Sequence, residues 1–127
     1  MNRQFIEMSF RVSERIQSFC YAFRGIFVVI RTQHNAWIHL LATVGVVALG
    51  FYESLSTTEW CVIILAISLV WVTEALNTAI EFLADEISLE KREGIGWAKD
   101  AGAGAVLLAA ICSVVLGALI FVPHFLK

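Results

Sequence analysis

The chain has a single proline, Pro123, near its far end, so nothing ahead of it forces a helix to break. Its three cysteines, Cys20, Cys61 and Cys112, are odd in number, widely spaced and set among apolar neighbours. That pattern argues against a disulfide framework and against a zinc site, and the three read as small apolar fillers. Basic residues form no block, so no nucleic-acid partner is expected. No G-x-x-x-x-G-K-[ST] loop and no G-x-G-x-x-G ahead of a helix is present, which removes the common phosphate-cradling loops. The alternation AGAGA at 101–105 suits close helix packing better than a phosphate cradle. The opening residues are polar and amphipathic, without the continuous apolar run of a cleavable signal peptide.

What the chain does have is apolar surface. Of 127 residues, 59% are hydrophobic, and the mean hydropathy is +0.79. A water-soluble domain this small keeps its exterior wetter than that, so the excess points to lipid contact. Three segments are long and apolar enough to span, at about 36–52, 60–85 and 102–122. Ahead of them, Phe5, Val12, Ile16, Phe19, Phe23, Ile26 and Ile30 recur at helical steps, with arginines mostly between. This predicts a basic amphipathic helix over about 1–31, lying in the headgroup plane or against a neighbouring subunit. Ser13, ahead of Glu14 to Gln17, is a candidate cap for a break within it. The expected fold is all-α and membrane-embedded, one small bundle of three spans plus a surface helix, without a second domain.

Orientation follows from lysine and arginine. Arg3, Arg11, Arg15, Arg24 and Arg31 precede the first span, and Lys91, Arg92 and Lys99 lie between the second and third. The connection from Glu53 to Glu59 has no basic residue, and only Lys127 follows the last span. Basic residues favour the cytoplasm, so the N-terminus and second connection are expected inside and the C-terminus outside. In the charged second connection, Gly94 and Gly96 predict a glycine turn, with re-entry near Trp97.

The second span carries an anomaly. Glu74, Thr78, Glu81 and Asp85 fall at about 0°, 40°, 340° and 20° around the helix axis, and Asn77 sits beside them at about 300°. Three carboxylates and two neutral hydrogen-bonding groups thus share one stripe. A carboxylate at mid-membrane costs roughly 2.5–3.5 kcal/mol even on the lenient insertion scale, so a chain with several on one face has a use for them. Lys99 and Asp100 stand at the start of the next span, joined to Asp85 by a short hairpin. Carboxylates hold Mg²⁺, lysine neutralises phosphate, and a further carboxylate can take a proton from an attacking hydroxyl. A phosphoryl-transfer site, a proton or ion relay, and an ion-pair network fixing helix register all remain open on this pattern alone. A non-catalytic assembly subunit is the contrasting class. Gly102, Ala103 and Gly104 suggest that neighbouring subunits pack against the polar face.

The stretches EALNTAIEFLAD (74–85) and WAKDAGAGAVL (97–107), with SFCYAFRGI (18–26) and RTQHNAWIHL (31–40), resemble the prokaryotic diacylglycerol kinase family, which includes the undecaprenol kinases. The pattern E-x-x-N-[ST]-A-I-E-x-x-x-D, with Lys-Asp about 25 residues after the first glutamate, is long and specific, and the resemblance covers nearly the whole chain. It implies three-span inner-membrane kinases of bacteria that form homotrimers with composite sites between subunits. They phosphorylate a lipid hydroxyl with ATP and Mg²⁺.

Carried over by position, Glu74 matches the family's proposed general base. Glu81 matches a metal-binding carboxylate that anchors MgATP, and Asn77 an asparagine at the same site. Lys99 and Asp100 match the pair contacting nucleotide phosphates and sugar, and Tyr21 a nucleotide-side tyrosine on the surface helix. Glu90, Lys91 and Arg92 occupy the loop lying over the nucleotide. Two positions depart from the pattern. Gln33 stands where many members carry a second metal-binding glutamate, and its neutral carbonyl should hold metal less tightly. Glu14, with Arg15 beside it, stands where the enterobacterial type has an arginine, leaving Arg15 as a candidate for that role. Thr78 and Asp85 are candidates for substrate contact or structural support.

The Ile38-His39 pair and the run AFRGI are more similar to the undecaprenol branch than to the diacylglycerol branch. Undecaprenol is therefore the expected substrate, with diacylglycerol as the alternative. His39 reads as a polar group near a helix end satisfied by a neighbour, and His34 and His124 as interfacial side chains. Trp37, Trp60, Trp71 and Trp97 read as interface anchors or packing groups.

Overall fold

A computed structural model describes residues 11–127. They form four helices: α1 (Val12–Thr32), α2 (His34–Tyr52), α3 (Thr57–Ile87) and α4 (Glu93–Phe125). The last three are long and apolar enough to cross a membrane. The fold is all-α, and the chain is a multi-pass membrane protein with one further helix ahead of its spans.

Each spanning helix starts ahead of its predicted span, and α3 and α4 also run past the predicted ends, because the polar flanks continue the helices into the boundary region; α2 ends at Tyr52 as predicted. α1 and α2 are separated by Gln33 alone, whose extended backbone (φ −99°, ψ 120°) serves both as C-cap of one helix and N-cap of the other. Ser13 lies inside α1, which runs unbroken from an Arg11 N-cap. The stretch 1–10 of the expected surface helix lies outside the described residues. Along α1, Val12, Ile16, Phe19, Phe23 and Ile26 are all exposed and only Val29 is buried. The apolar face predicted from spacing is therefore uncovered within one chain, as a face meant for lipid or a neighbouring subunit would be.

α3 begins three residues earlier than its apolar run. Ser56 and Glu59 form a reciprocal capping box: the Glu59 amide donates to Ser56 Oγ (3.3 Å) and the Ser56 amide donates to Glu59 Oε2 (2.8 Å). The S-x-x-E signature was present in the sequence and marks that start better than hydropathy does. The α2–α3 turn passes through Ser54 at φ 54°, a left-handed residue that lets the Leu55 amide return to the Gly50 carbonyl (3.1 Å).

The α3–α4 connection corrects the sequence reading. The break falls at Ser88–Arg92, and Gly94 and Gly96 lie inside the first turns of α4. The charged residues, freely hydrated, end the helix where the glycines were expected to. Ser88 Oγ accepts from the Glu90 amide (3.1 Å) and tightens that turn. α3 and α4 form the main helix pair, with α2 against α3. Ser113 Oγ donates to the Ala66 carbonyl (2.9 Å) and Trp71 Nε1 donates to Thr43 Oγ1 (3.0 Å), stitching α4 and α2 to α3. Trp71 is thus a packing group, as expected.

Leu55, Ile63 and Phe121 make a small core beside the α2–α3 turn, with Val46, Leu49, Trp60, Ile67 and Ile120 around it. Smaller residues such as Ala66, Val70, Val106 and Ala109 are buried along the helix contacts, while many large apolar side chains face outward, including Leu41, Leu65, Leu108 and Leu119. Cys20, Cys61 and Cys112 are also exposed, so they sit on the outer surface rather than filling gaps. Gly102 faces inward, buried against Asn77 of the same chain, whereas Ala103 is exposed and Gly104 has open space beside it. Of the small residues expected to receive a neighbouring subunit, Gly102 is taken up by the chain's own hairpin.

Candidate active site

The polar stripe on α3 exists as spacing predicted, and its exposure is graded. Glu74 is 1% exposed, Asn77 6% and Thr78 2%, Glu81 is half-buried and Asp85 is exposed. The gradient matches position along the helix. Counted from Trp60 at 1.5 Å per residue, Glu74 lies about 21 Å along α3 and Glu81 about 31 Å. A hydrocarbon core is about 30 Å thick. With Trp60 anchored at one boundary, Glu74 stands inside the apolar layer and Glu81 at its opposite edge.

Each side chain of the stripe has a distinct environment. Thr78 Oγ1 donates to the carbonyl of Glu74 one turn back (2.8 Å), so its hydroxyl is spent on the helix itself. Glu81 gathers two amides: Gln33 Nε2 donates to Oε2 (3.2 Å) and Asn77 Nδ2 donates to Oε1 (3.3 Å). The Gln33 contact joins residues 48 positions apart in sequence, and the one-residue joint between α1 and α2 makes it possible. Lys99 Nζ donates to Asp85 Oδ1 (2.9 Å), tying the start of α4 to the end of α3. Asp100 is exposed beside it.

Among the described residues, four buried polar side-chain atoms have no hydrogen-bond partner: His39 Nε2, both carboxylate oxygens of Glu74, and Asn77 Oδ1. They form one cluster. His39 Nε2 stands 3.5 Å from Glu74 Oε2, an ion-pair distance longer than an ordinary hydrogen bond. Asn77 Oδ1 faces the Cα of Gly102, where an added Cβ would come within 2.5 Å of it. Buried polar groups are ordinarily satisfied, and orphans held together mark strain or chemistry rather than packing.

His39 lies in the second turn of α2, near a helix end as expected, but its neighbour is Glu74, a carboxylate without a hydrogen-bond partner, and that contact was not read from the sequence. The available signal was an ionisable residue inside an apolar run, which by default points to function.

The remaining candidates lie at the periphery. Tyr21 and Arg24 on α1 line a hollow against Ala75, Thr78 and Phe82 of α3. Glu90, Lys91 and Arg92 are exposed on the α3–α4 connection, and Arg15 is in the first turn of α1. α2, α3 and α4 also line a half-open apolar hollow of about 410 Å³, bounded by Ala42, Val46, Val70, Val114 and Phe121. Of the residues with unsatisfied atoms, His39 is the one that lines it.

The all-α membrane bundle thus sets one buried carboxylate, Glu74, between an apolar hollow and a lysine-bearing edge, and sequence comparison gives the class: a small integral-membrane lipid kinase. Residues 20–121 match the sequence profile of prokaryotic diacylglycerol kinase, and the chain belongs to that family. It is similar to the undecaprenol kinase of Bacillus subtilis (strain 168), 42% identical over 84% of this chain and 87% of the relative. It is also similar to the diacylglycerol kinase of Synechocystis sp., 37% identical over 87% of this chain and 63% of the relative. The diacylglycerol kinase of Haemophilus influenzae is 31% identical over 84% and 91%. Membership makes the chain a phosphotransferase that acts on a membrane lipid alcohol.

Proposed function

We propose that this protein transfers the γ-phosphoryl group of ATP to undecaprenol, with Glu74 as general base. The observation that carries the reading is the Glu74 carboxylate itself, 1% exposed with both oxygens free of hydrogen bonds. Both of its oxygens are open to take a proton from a lipid hydroxyl brought beside them. In the reaction, the lipid hydroxyl oxygen bonds to the γ-phosphorus and the bond from that phosphorus to the β–γ bridging oxygen breaks. The hydroxyl proton passes to Glu74, and ADP departs with the bridging oxygen.

The donor set at Glu81 fits Mg²⁺. The Glu81 carboxylate is the hard anionic ligand there; Gln33 and Asn77 now turn their amide nitrogens to it, and each would offer its oxygen to a cation by turning its amide over. Mg²⁺ held by Glu81 would neutralise charge on the phosphates. Lys99 and Asp100 hold the phosphates and sugar, while Tyr21, Glu90, Lys91 and Arg92 border the nucleotide. Arg15, in the first turn of α1, takes a substrate-contact or supporting role. Asp85 positions Lys99, and Thr78 supports the backbone at Glu74.

These groups belong at the cytosolic face, where ATP is, which agrees with the lysine and arginine distribution. The uncovered apolar faces of α1 and α4 support assembly of several copies, and a homotrimer is the state the family resemblance implies. Undecaprenol is favoured over diacylglycerol because the undecaprenol kinase relative matches 42% of positions over most of both chains. The long apolar hollow beside His39 suits a hydrocarbon chain. The deciding measurement is a panel of undecaprenol and diacylglycerol in mixed micelles with labelled MgATP. We expect the higher kcat/KM with undecaprenol; a higher value with diacylglycerol reverses the substrate assignment.

A further inference from the structure

Among the described residues, Glu74 has one ionisable neighbour at contact distance, and it comes from another helix. The His39 ring on α2 places Nε2 3.5 Å from Glu74 Oε2, with the imidazole 15% exposed and the carboxylate 1%. The ring is itself held. Its edge meets the indole of Trp71 at 6.3 Å between centroids and 70° between planes. Trp71 Nε1 in turn donates to Thr43 Oγ1 (3.0 Å), and that hydroxyl donates to the backbone carbonyl of His39 (2.7 Å). The indole and hydroxyl therefore brace both the ring and the helix turn that carries it. This is more support than a histidine filling space requires.

The other elements packed around Glu74 offer no equivalent. α4 presents Gly102, Val106 and Ala109 as its buried residues, none of them titratable. On α3 itself Asn77 and Glu81 are engaged with each other, and Thr78 bonds its own helix. From α1, Tyr21 and Arg24 border the hollow beside Thr78 rather than Glu74.

We propose that His39 is the positioning residue of Glu74, fixing the carboxylate rotamer so that Oε1 faces the lipid hydroxyl while Oε2 rests against the imidazole. The inference deepens the reading of Glu74 as general base and depends on it. A buried carboxylate with no donor to orient it rotates among several positions. A braced imidazole on one oxygen leaves one productive orientation, and misplacement of a reacting group by about 1 Å can slow a reaction about 100-fold.

The test uses the full-length protein in undecaprenol mixed micelles. His39→Ala is expected to lower kcat about 10- to 100-fold with KM for MgATP essentially unchanged. His39→Gln, whose amide nitrogen falls near the place of Nε2, is expected to restore most of that loss. His39→Asn, too short to reach Glu74, is not. Nucleotide-induced thermal stabilisation reports folding of each variant. If His39→Ala does not fold, the Gln and Asn pair decides. Unchanged kcat in His39→Ala, or equal kcat in the Gln and Asn variants, overturns the role. An active Glu74→Gln removes the base reading itself, whereas an inactive Glu74→Gln beside a fully active His39→Ala removes only the role of His39.

Discussion

The two ends of the helical bundle treat buried polarity in opposite ways. At the α2–α3 turn, His124 reaches both Glu59 (Nε2 to Oε1, 2.9 Å) and Glu53 (Nδ1 to Oε2, 3.9 Å), and Glu59 also closes the capping box with Ser56. The Leu55, Ile63 and Phe121 core lies next to it. At the other end, His39 also faces a glutamate, but at 3.5 Å and without a hydrogen bond, and Asn77 adds a further orphan oxygen. The same residue types are present at both ends. One arrangement is satisfied and fastens three segments of chain together; the other leaves acceptors bare beside an apolar hollow. Unsatisfied buried groups destabilise a fold, and their concentration at one end is the feature on which the proposed site rests.

That contrast can be broken most severely at Glu74. Glu74→Gln keeps the shape and removes the proton acceptor, so phosphoryl transfer should fall about 10²- to 10⁴-fold while MgATP still raises the thermal midpoint. Retained turnover in a mixed-micelle assay would take Glu74 out of the base role. Glu81→Gln should act differently: the Mg²⁺ concentration for half-maximal activity should rise, about tenfold or more, since the site loses its only carboxylate. A magnesium titration that leaves this midpoint in place contradicts the metal assignment.

A glycine at each end sharpens the comparison further. An added Cβ at Gly102 would meet Asn77 Oδ1 at 2.5 Å, and one at Gly50 would meet the Trp60 ring at 2.7 Å. Both alanine variants should lose about 1–3 kcal/mol of stability by overpacking. Only Gly102→Ala should also lower kcat, because Asn77 is the group displaced. Parallel denaturation and kinetic measurements on the pair check this, and equal kcat values would show that the Asn77 pose is irrelevant to turnover. The smallest effect belongs to His124→Leu, which should lower the thermal midpoint and leave kcat and KM unchanged; a changed kcat would mean that the two ends are coupled.

The sequence was most legible where periodicity carried the signal. The three apolar runs, the amphipathic pattern of α1 and the shared face of Glu74, Asn77, Thr78, Glu81 and Asp85 follow from helical repeat and hydropathy alone. Helix ends were less legible. The Ser56–Glu59 box starts α3 ahead of its apolar run, and the charged Ser88–Arg92 segment breaks the chain where Gly94 and Gly96 were expected to. The pairing of Lys99 with Asp85 could be anticipated because a short hairpin joins them. Gln33 with Glu81, and His39 with Glu74, could not be read from spacing, since each links helices whose relative rotation is set by packing. His124 was read as an interfacial group, and its two carboxylate partners come from residues far earlier in the chain.

Composition and repeat settled that this chain lives in a membrane, that its helices are long, and that acidic groups line one of them. Those properties depend on residues a few positions apart, where the geometry of a single helix is the only geometry needed. Which of those acidic groups is dry, which is amide-bonded, and which histidine stands against which glutamate was decided by how α1, α2 and α4 pack on α3. Such contacts arise between distant residues, and small side chains such as Gly102 set the distances.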